Sequence, residues 1–292
     1  MNLNGVFTAL VTPFSKNGSV DEKALRDLVD FQINEGISGL VPMGTTGESP
    51  TLNHDEHIHV IEIVIDQTNG RVPVIAGTGS NATGEAINMT RYAAEIGAKA
   101  SLQVAPYYNK PTQEGFYRHF AEISKTSDIP LIVYNIPGRS GKNIENSTML
   151  RLAKLQNVIA VKEASGDIVQ VMDLIRQKPE TLSILSGDDN LGFPIISLGG
   201  CGIISVASNI IPKEMERMVK MLLDGKNEDA RALHYRLLPL FKNLFIETNP
   251  IPIKLALSLQ GKIEEQYRLP MCPMAAEHRG ILTETLKSLN LI

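Results

Sequence analysis

Residues 73–106 read PVIAGTGSNATGEAINMTRYAAEIGAKASLQVAP, and the fold follows from how that stretch divides. Pro73 to Gly77 is a short run rich in β-branched side chains, the composition of a strand. Ala86, Met89, Ala93 and Ile96 then recur at helical spacing. Ala100 to Pro106 reads as strand again. A strand, a helix and a strand in succession form a parallel crossover, because parallel neighbours cannot be joined by a tight turn. Gly77-Thr-Gly79 stands near the place of a dinucleotide fingerprint, but Ser80-Asn-Ala82 follows and the G-x-G-x-x-G pattern fails.

The same alternation runs outward in both directions. Further strand candidates are Gly5 to Phe14, Gly39 to Met43, Pro130 to Tyr134, Val158 to Glu163, Leu182 to Leu185 and Gly202 to Ala207, eight in all. Phe116, Phe120 and Ile123, and later Met215, Met218 and Leu222, mark helices between them. Eight such units predict an α/β fold, a closed (β/α)8 TIM barrel, in preference to an open doubly wound sheet. After about residue 225 the strand signal stops, and Leu233, Leu237, Leu240 and Leu244 recur at helical spacing. Residues 1–224 are therefore expected to form the barrel and 225–292 a C-terminal helical extension, with helices over Ile253 to Gln260 and from Glu277.

Composition excludes several classes of function. Hydrophobic residues make up 43% of the 292 residues, enough for a large core, and the net charge is only -4. Like charges do not run in blocks, so neither a nucleic-acid partner nor an electrostatic membrane anchor is expected. No apolar run approaches the ~20 residues that span a bilayer. Met1-Asn-Leu-Asn4 lacks the basic and apolar regions of a signal peptide, and the only cysteines are Cys201 and Cys272, which suits free thiols in a reducing cytoplasm. His54-Asp-Glu-His57 is not H-E-x-x-H and has no evident third ligand, so no metal is expected; Asn53 and Glu56 read instead as a capping box. Cys201, in Gly199-Gly-Cys-Gly202, reads as a small buried hydrophobe, and Asp188 and Asp189 as loop and cap residues.

Chemistry in a barrel of this kind gathers at the C-terminal ends of the strands. Lys162 lies in Val158-Ile-Ala-Val-Lys-Glu163, where alternation puts it on one face with Val158, Ala160 and Ala164. If that face points inward, desolvation lowers the lysine pKa and frees an amine to attack a carbonyl. A lysine snorkelling from the strand end, or paired with a carboxylate, is the plainer alternative. Tyr134 ends a strand and can relay protons; Arg139, just beyond, can clamp a carboxylate, or each is simply a core tyrosine and a surface arginine. Gly44-Thr-Thr-Gly-Glu-Ser49 can expose N–H groups and hydroxyls to an acid oxygen, but it lacks the Gly-Lys-Ser/Thr of a phosphate-binding loop.

Three segments in order, Gly39-Leu-Val-Pro-Met-Gly-Thr-Thr-Gly-Glu48, Tyr134-Asn-Ile-Pro137 and Lys162-Glu-Ala-Ser-Gly166, resemble the pyruvate-dependent N-acetylneuraminate lyase family. The resemblance extends from Gly5 to Asn249-Pro-Ile-Pro-Ile-Lys254. Pro106-Tyr-Tyr108, Arg139 and Ser186-Gly-Asp-Asp189 look like its dipicolinate-forming branch. The resemblance implies a lyase that forms a Schiff base between Lys162 and pyruvate and condenses it with L-aspartate 4-semialdehyde, without metal or organic cofactor. It implies proton relay by Tyr134, Thr46 and a Tyr108 lent to a neighbouring subunit. Thr45 would hold the pyruvate carboxylate and Arg139 that of the semialdehyde, while Gly187 and Ile204 would line the pocket. It further implies a homotetramer built as a dimer of dimers, inhibited by L-lysine bound at Ser49, His54, His57, Asn81, Glu85 and Tyr107. Two other readings stand beside this one: an aldolase of the same family acting on a sugar acid, and a binding protein that kept the barrel without catalysis.

Overall fold

The computed structural model describes residues 1–292. Eight parallel strands, β1 (Gly5–Ala9), β2 (Gly39–Val41), β3 (Ile75–Gly77), β4 (Ala100–Val104), β5 (Leu131–Asn135), β6 (Val158–Glu163), β7 (Ser183–Ser186) and β8 (Gly202–Ser205), form one sheet. The order is β2-β1-β8-β7-β6-β5-β4-β3, so the first and last strands are neighbours and the sheet curls into a barrel. The ring closes between β2 and β3, where Leu40 N–H donates to Pro73 O and Gly77 N–H to Pro42 O, each at 3.0 Å. Gly77 makes this approach possible: a Cβ there would lie 2.2 Å from Met43 O. The expected (β/α)8 architecture is therefore the one observed.

Several strands end earlier than their apolar runs. β1 stops at Ala9, and Phe14 instead bridges Val20 in antiparallel fashion. Leu10, Val11 and Phe14 nevertheless stay buried, which is why the sequence reads as one long strand. β4 ends at Val104 and β8 at Ser205; beyond β8, Asp189 accepts the Val206 and Ala207 N–H groups and turns the chain into a short 3-10 helix.

Two apolar layers follow from strand alternation. Phe7, Ala9, Val41, Ile75, Leu102, Ile132, Tyr134, Ala160, Leu185 and Ile204 fill the barrel interior. The opposite faces pack against the helices in a separate, larger cluster. Leu233, Leu237 and Leu240 of the helix Asn227–Asn243, with Leu244 at its end, belong to that larger cluster, so the extension shares the barrel's outer core. Burial of one such leucine contributes about 1.5–3 kcal/mol. The extension continues through the helices Ile251–Leu259 and Ala276–Ser288. No helix is long and apolar enough to cross a membrane.

Candidate active site

Lys162 and Tyr134 are partners in the β5–β6 register, so both side chains leave the same face at the same height. That face is the barrel interior, as alternation anticipates. Lys162 is 6% exposed, and its Nζ stands 4.0 Å from the centre of the Tyr134 ring. Burial pushes the Lys162 ammonium down to about 8, with Arg139 adding to the fall and Asp188 and Asp189 resisting it. Burial also pushes the Tyr134 phenol well above the usual tyrosine range, assisted by Asp188, while Arg139 and a hydrogen bond with Thr45 pull the other way. The pair is thus an amine within reach of its free-base form beside a phenol that stays protonated.

Glycine makes room for the amine. Gly187 follows β7 and its N–H donates to Glu163 O at 2.7 Å. A Cβ on Gly187 would lie 2.8 Å from Ala164 Cβ and 3.0 Å from Lys162 Cε. Thr45, Thr46, Tyr134, Arg139, Lys162 and Gly187 line one cavity at the C-terminal ends of the strands. Ile204 is fully buried in β8 as part of the interior packing beneath it. An outer cavity of about 230 Å³, sharing Thr45, Tyr134 and Arg139, opens above and reaches Tyr107.

Sequence reasoning missed three lining residues. Asn249, from the extension, donates from Nδ2 to Thr46 Oγ1 at 3.0 Å, and its carbonyl accepts from Arg139 Nη2 at 3.0 Å. Its own Oδ1 is buried without a partner. Phe245 also comes from the extension. Asp188, assigned above to a loop or cap, makes no side-chain cap and faces the Lys162 cavity; burial raises its pKa and Lys162 opposes that rise. Asp189 does keep a loop role, accepting from Ser205 Oγ at 2.6 Å. The only sequence trace of the extension's part was the proline-punctuated Asn249-Pro-Ile-Pro-Ile-Lys254.

The tyrosine pair sits apart from this cavity. Tyr108 is 91% exposed with φ +70°, and Tyr107 is 37% exposed. Within one chain, therefore, Thr46 meets Asn249 and Tyr134 meets Thr45, while Tyr108 points away from both. A second cavity adjoins the outer one, sharing Ser49, Pro50 and Tyr107, and is lined in addition by His54, His57 and Glu85. His54 and His57 start a helix opened by the expected Asn53–Glu56 capping box. His57 Nε2 lies 2.7 Å from Gly77 O, and burial keeps the ring neutral to lower pH than usual. Ser80 Oγ donates to Glu85 at 2.7 Å, and His54 Nε2 is 4.0 Å from its other oxygen. Asn81 is not in the lining; its Nδ2 donates to Tyr107 O at 3.2 Å.

A pH dependence follows from the lysine. Below a pKa of about 8 the group is an ammonium ion without a lone pair, so imine formation is expected to rise with pH through that value. The rate of borohydride-trapped pyruvate adduct measures this directly, and a rate flat across neutral and mildly alkaline pH would contradict it.

The model of the dihydrodipicolinate synthetase family matches residues 2–289. A 4-hydroxy-tetrahydrodipicolinate synthase from Thermodesulfovibrio yellowstonii is 51% identical over 288 residues, 99% of either chain. Among solved structures, the chloride-inhibited dihydrodipicolinate synthase of Acinetobacter baumannii, complexed with pyruvate, superposes with a TM-score of 0.98 at 42% identity, covering 100% of both chains. The enzyme of Cyanidioschyzon merolae, solved with lysine bound, gives a TM-score of 0.96 at 40% identity, covering 99% of both.

Proposed function

This chain belongs to the dihydrodipicolinate synthetase family, and on that premise we propose that it joins pyruvate to L-aspartate 4-semialdehyde, giving 4-hydroxy-tetrahydrodipicolinate for diaminopimelate and lysine synthesis. The observation that carries this reading is the interior Lys162, its pKa lowered to about 8, beside Tyr134. The free Nζ attacks the pyruvate carbonyl, water leaves, and an imine forms. The imine nitrogen draws electrons from the adjacent methyl carbon, which loses a proton to give an enamine. That carbon attacks the aldehyde, and the amine of the semialdehyde then adds to the imine carbon, closing the ring and expelling Lys162 as the free amine. Tyr134, kept protonated by burial, supplies and recovers protons at the carbinolamine and the new alkoxide. Thr45 holds the pyruvate carboxylate, Thr46 links the relay, and Gly187 and Ile204 shape the floor. Mass spectrometry after pyruvate and borohydride tests the first half; product assays with the semialdehyde, and with N-acetylneuraminate as the sugar-acid control, test the second.

Arg139 is the carboxylate clamp for the semialdehyde. Its guanidinium is oriented by the Asn249 carbonyl and borders both cavities of the site. A charged hydrogen bond of this kind is worth about 1.5–3 kcal/mol, roughly a ten- to hundredfold effect on kcat/KM. Arg139→Ala is expected to lose that factor for the semialdehyde while pyruvate trapping survives. Loss of trapping with unchanged semialdehyde dependence would remove Arg139 from this role.

Assembly as a dimer of dimers fits two exposed apolar faces. One carries Tyr107 and Tyr108, the latter available to a neighbouring subunit's site. The other would be formed by Val169 and Met172 of the helix Ile168–Gln177 and Leu198 at the end of the helix Asp189–Ser197, 64%, 41% and 39% exposed. Isologous contacts are the common arrangement for homo-oligomers. L-Lysine is the proposed inhibitor at the second cavity, with Glu85 and the histidines facing it. Glu85 would receive the ammonium group and Tyr107 the carboxylate, joined by Asn81 if its amide, bonded to Tyr107 O just outside the lining, turns toward the ligand. Glu85→Ala is expected to abolish lysine binding by calorimetry while most activity remains; unchanged binding would place the ligand elsewhere.

A further inference from the structure

One buried ion pair takes no part in the steps above. Lys254 Nζ lies 2.5 Å from Glu48 Oε1, and the two side chains are 0% and 1% exposed. Glu48 adopts φ +56°, a left-handed conformation that few side chains other than glycine enter. That conformation turns the carboxyl inward near the end of the Gly44–Ser49 turn, two residues after Thr46 and one before Ser49. The same turn is tied by Thr12 Oγ1 to Gly47 O at 2.6 Å and by Thr51 N–H to Glu48 O at 2.9 Å. Lys254 is the last residue of the segment that begins with Asn249, whose side chain holds Thr46 and whose carbonyl holds Arg139. Phe14 fixes the ammonium laterally, with Lys254 Nζ 4.1 Å and Arg268 Cζ 4.5 Å from its ring centre.

A buried ion pair is weak evidence for stability, because desolvation offsets most of the attraction. In some proteins such a pair serves instead to fix a position. We propose that Glu48 and Lys254 are positioning residues for the reaction: the pair locks the Gly44–Ser49 turn to the extension, so that Thr45 and Thr46 are already placed when pyruvate arrives. The extension then builds the site from behind, through Lys254 on Glu48 and Asn249 on Thr46. This rests on the pyruvate reading given above.

The test separates position from stability. Lys254→Met or Glu48→Met alone leaves one buried charge unpaired and is expected to lower the melting temperature. The double variant Glu48→Met/Lys254→Met removes both charges at similar volume, and its melting temperature is expected to return to within a few degrees of the original. Its activity is not: the pyruvate KM is expected to rise, and the rate of pyruvate-dependent borohydride trapping at Lys162 to fall, by about tenfold or more, the scale on which misplaced contacts act. A double variant that regains both melting temperature and trapping rate overturns the proposal. So does one that stays as unstable as the single variants, which would make the pair a stabilising contact only. If the unaltered protein fails to trap pyruvate at all, the pyruvate reading itself falls, a result no variant can mimic.

Discussion

Lys162→Ala is expected to abolish pyruvate-dependent borohydride trapping and to reduce turnover by several orders of magnitude. The imine supplies the electron sink on which carbon–carbon bond formation depends, and no other lysine lines the cavity that holds Tyr134 and Thr45. The substitution should leave the fold intact. It removes a desolvated amine from a site where Ala160, Ala164 and Gly187 already provide small neighbours, and Asp188, which loses the nearby positive charge, can take up a proton because burial already raises its pKa. Peptide mapping of the reduced adduct checks the assignment. Trapping at a different lysine, or undiminished trapping in the variant, would remove Lys162 from the mechanism.

Gly187→Ala should also act strongly, and at the lysine itself. The added methyl would meet Ala164 Cβ at 2.8 Å and Lys162 Cε at 3.0 Å. Ala164 is fixed to the end of β6, so the easiest relief is for the lysine stem to swing away. A displacement of about an ångström at a reacting atom costs on the order of a hundredfold. Both the trapping rate and kcat should therefore fall by about ten- to a hundredfold, with the circular dichroism spectrum unchanged. A Gly187→Ala protein that traps pyruvate at the original rate would show that the loop yields instead.

Legibility in the sequence tracked how local the physics is. Strand alternation alone put Lys162 and Ala160 on one face, and that face is the interior. The short strand and helix periods over residues 73–106 fixed the repeat, and the repeat fixed the barrel. Where the strands end was less legible, because Leu10–Phe14 remain buried after β1 has left the ladder, and burial rather than pairing governs composition. Asp188 and Asn249 were missed for a different reason. An aspartate after a glycine serves as well for a loop as for a pocket, and only packing tells which. Asn249 reaches Thr46 across 203 positions of sequence, from a turn between helices that read as an appendage. The dependence of Arg139 on the Asn249 carbonyl is likewise a tertiary fact.

The closure of the barrel between β2 and β3 carries a consequence of its own. Every other neighbouring pair is held by a continuous strand ladder, with one register shift in β5–β6, but these two, though consecutive in sequence, form the two ends of the strand order and meet through an isolated Leu40–Val74 bridge and the Gly77–Pro42 bond. Local opening free energies vary across a protein, and amides with few backbone partners sit at the low end. The amides of Leu40 and Gly77 are therefore expected to exchange with solvent ahead of those in β5 and β6, which hydrogen-exchange mass spectrometry would check. The Gly44–Ser49 turn issues from one lip of that clasp and His57 grips the carbonyl of Gly77 on the other. A molecule seated between the turn and the His57 helix would bridge the two lips of the seam, and is expected to slow amide exchange at the strand ends from which Thr45 and Thr46 are displayed.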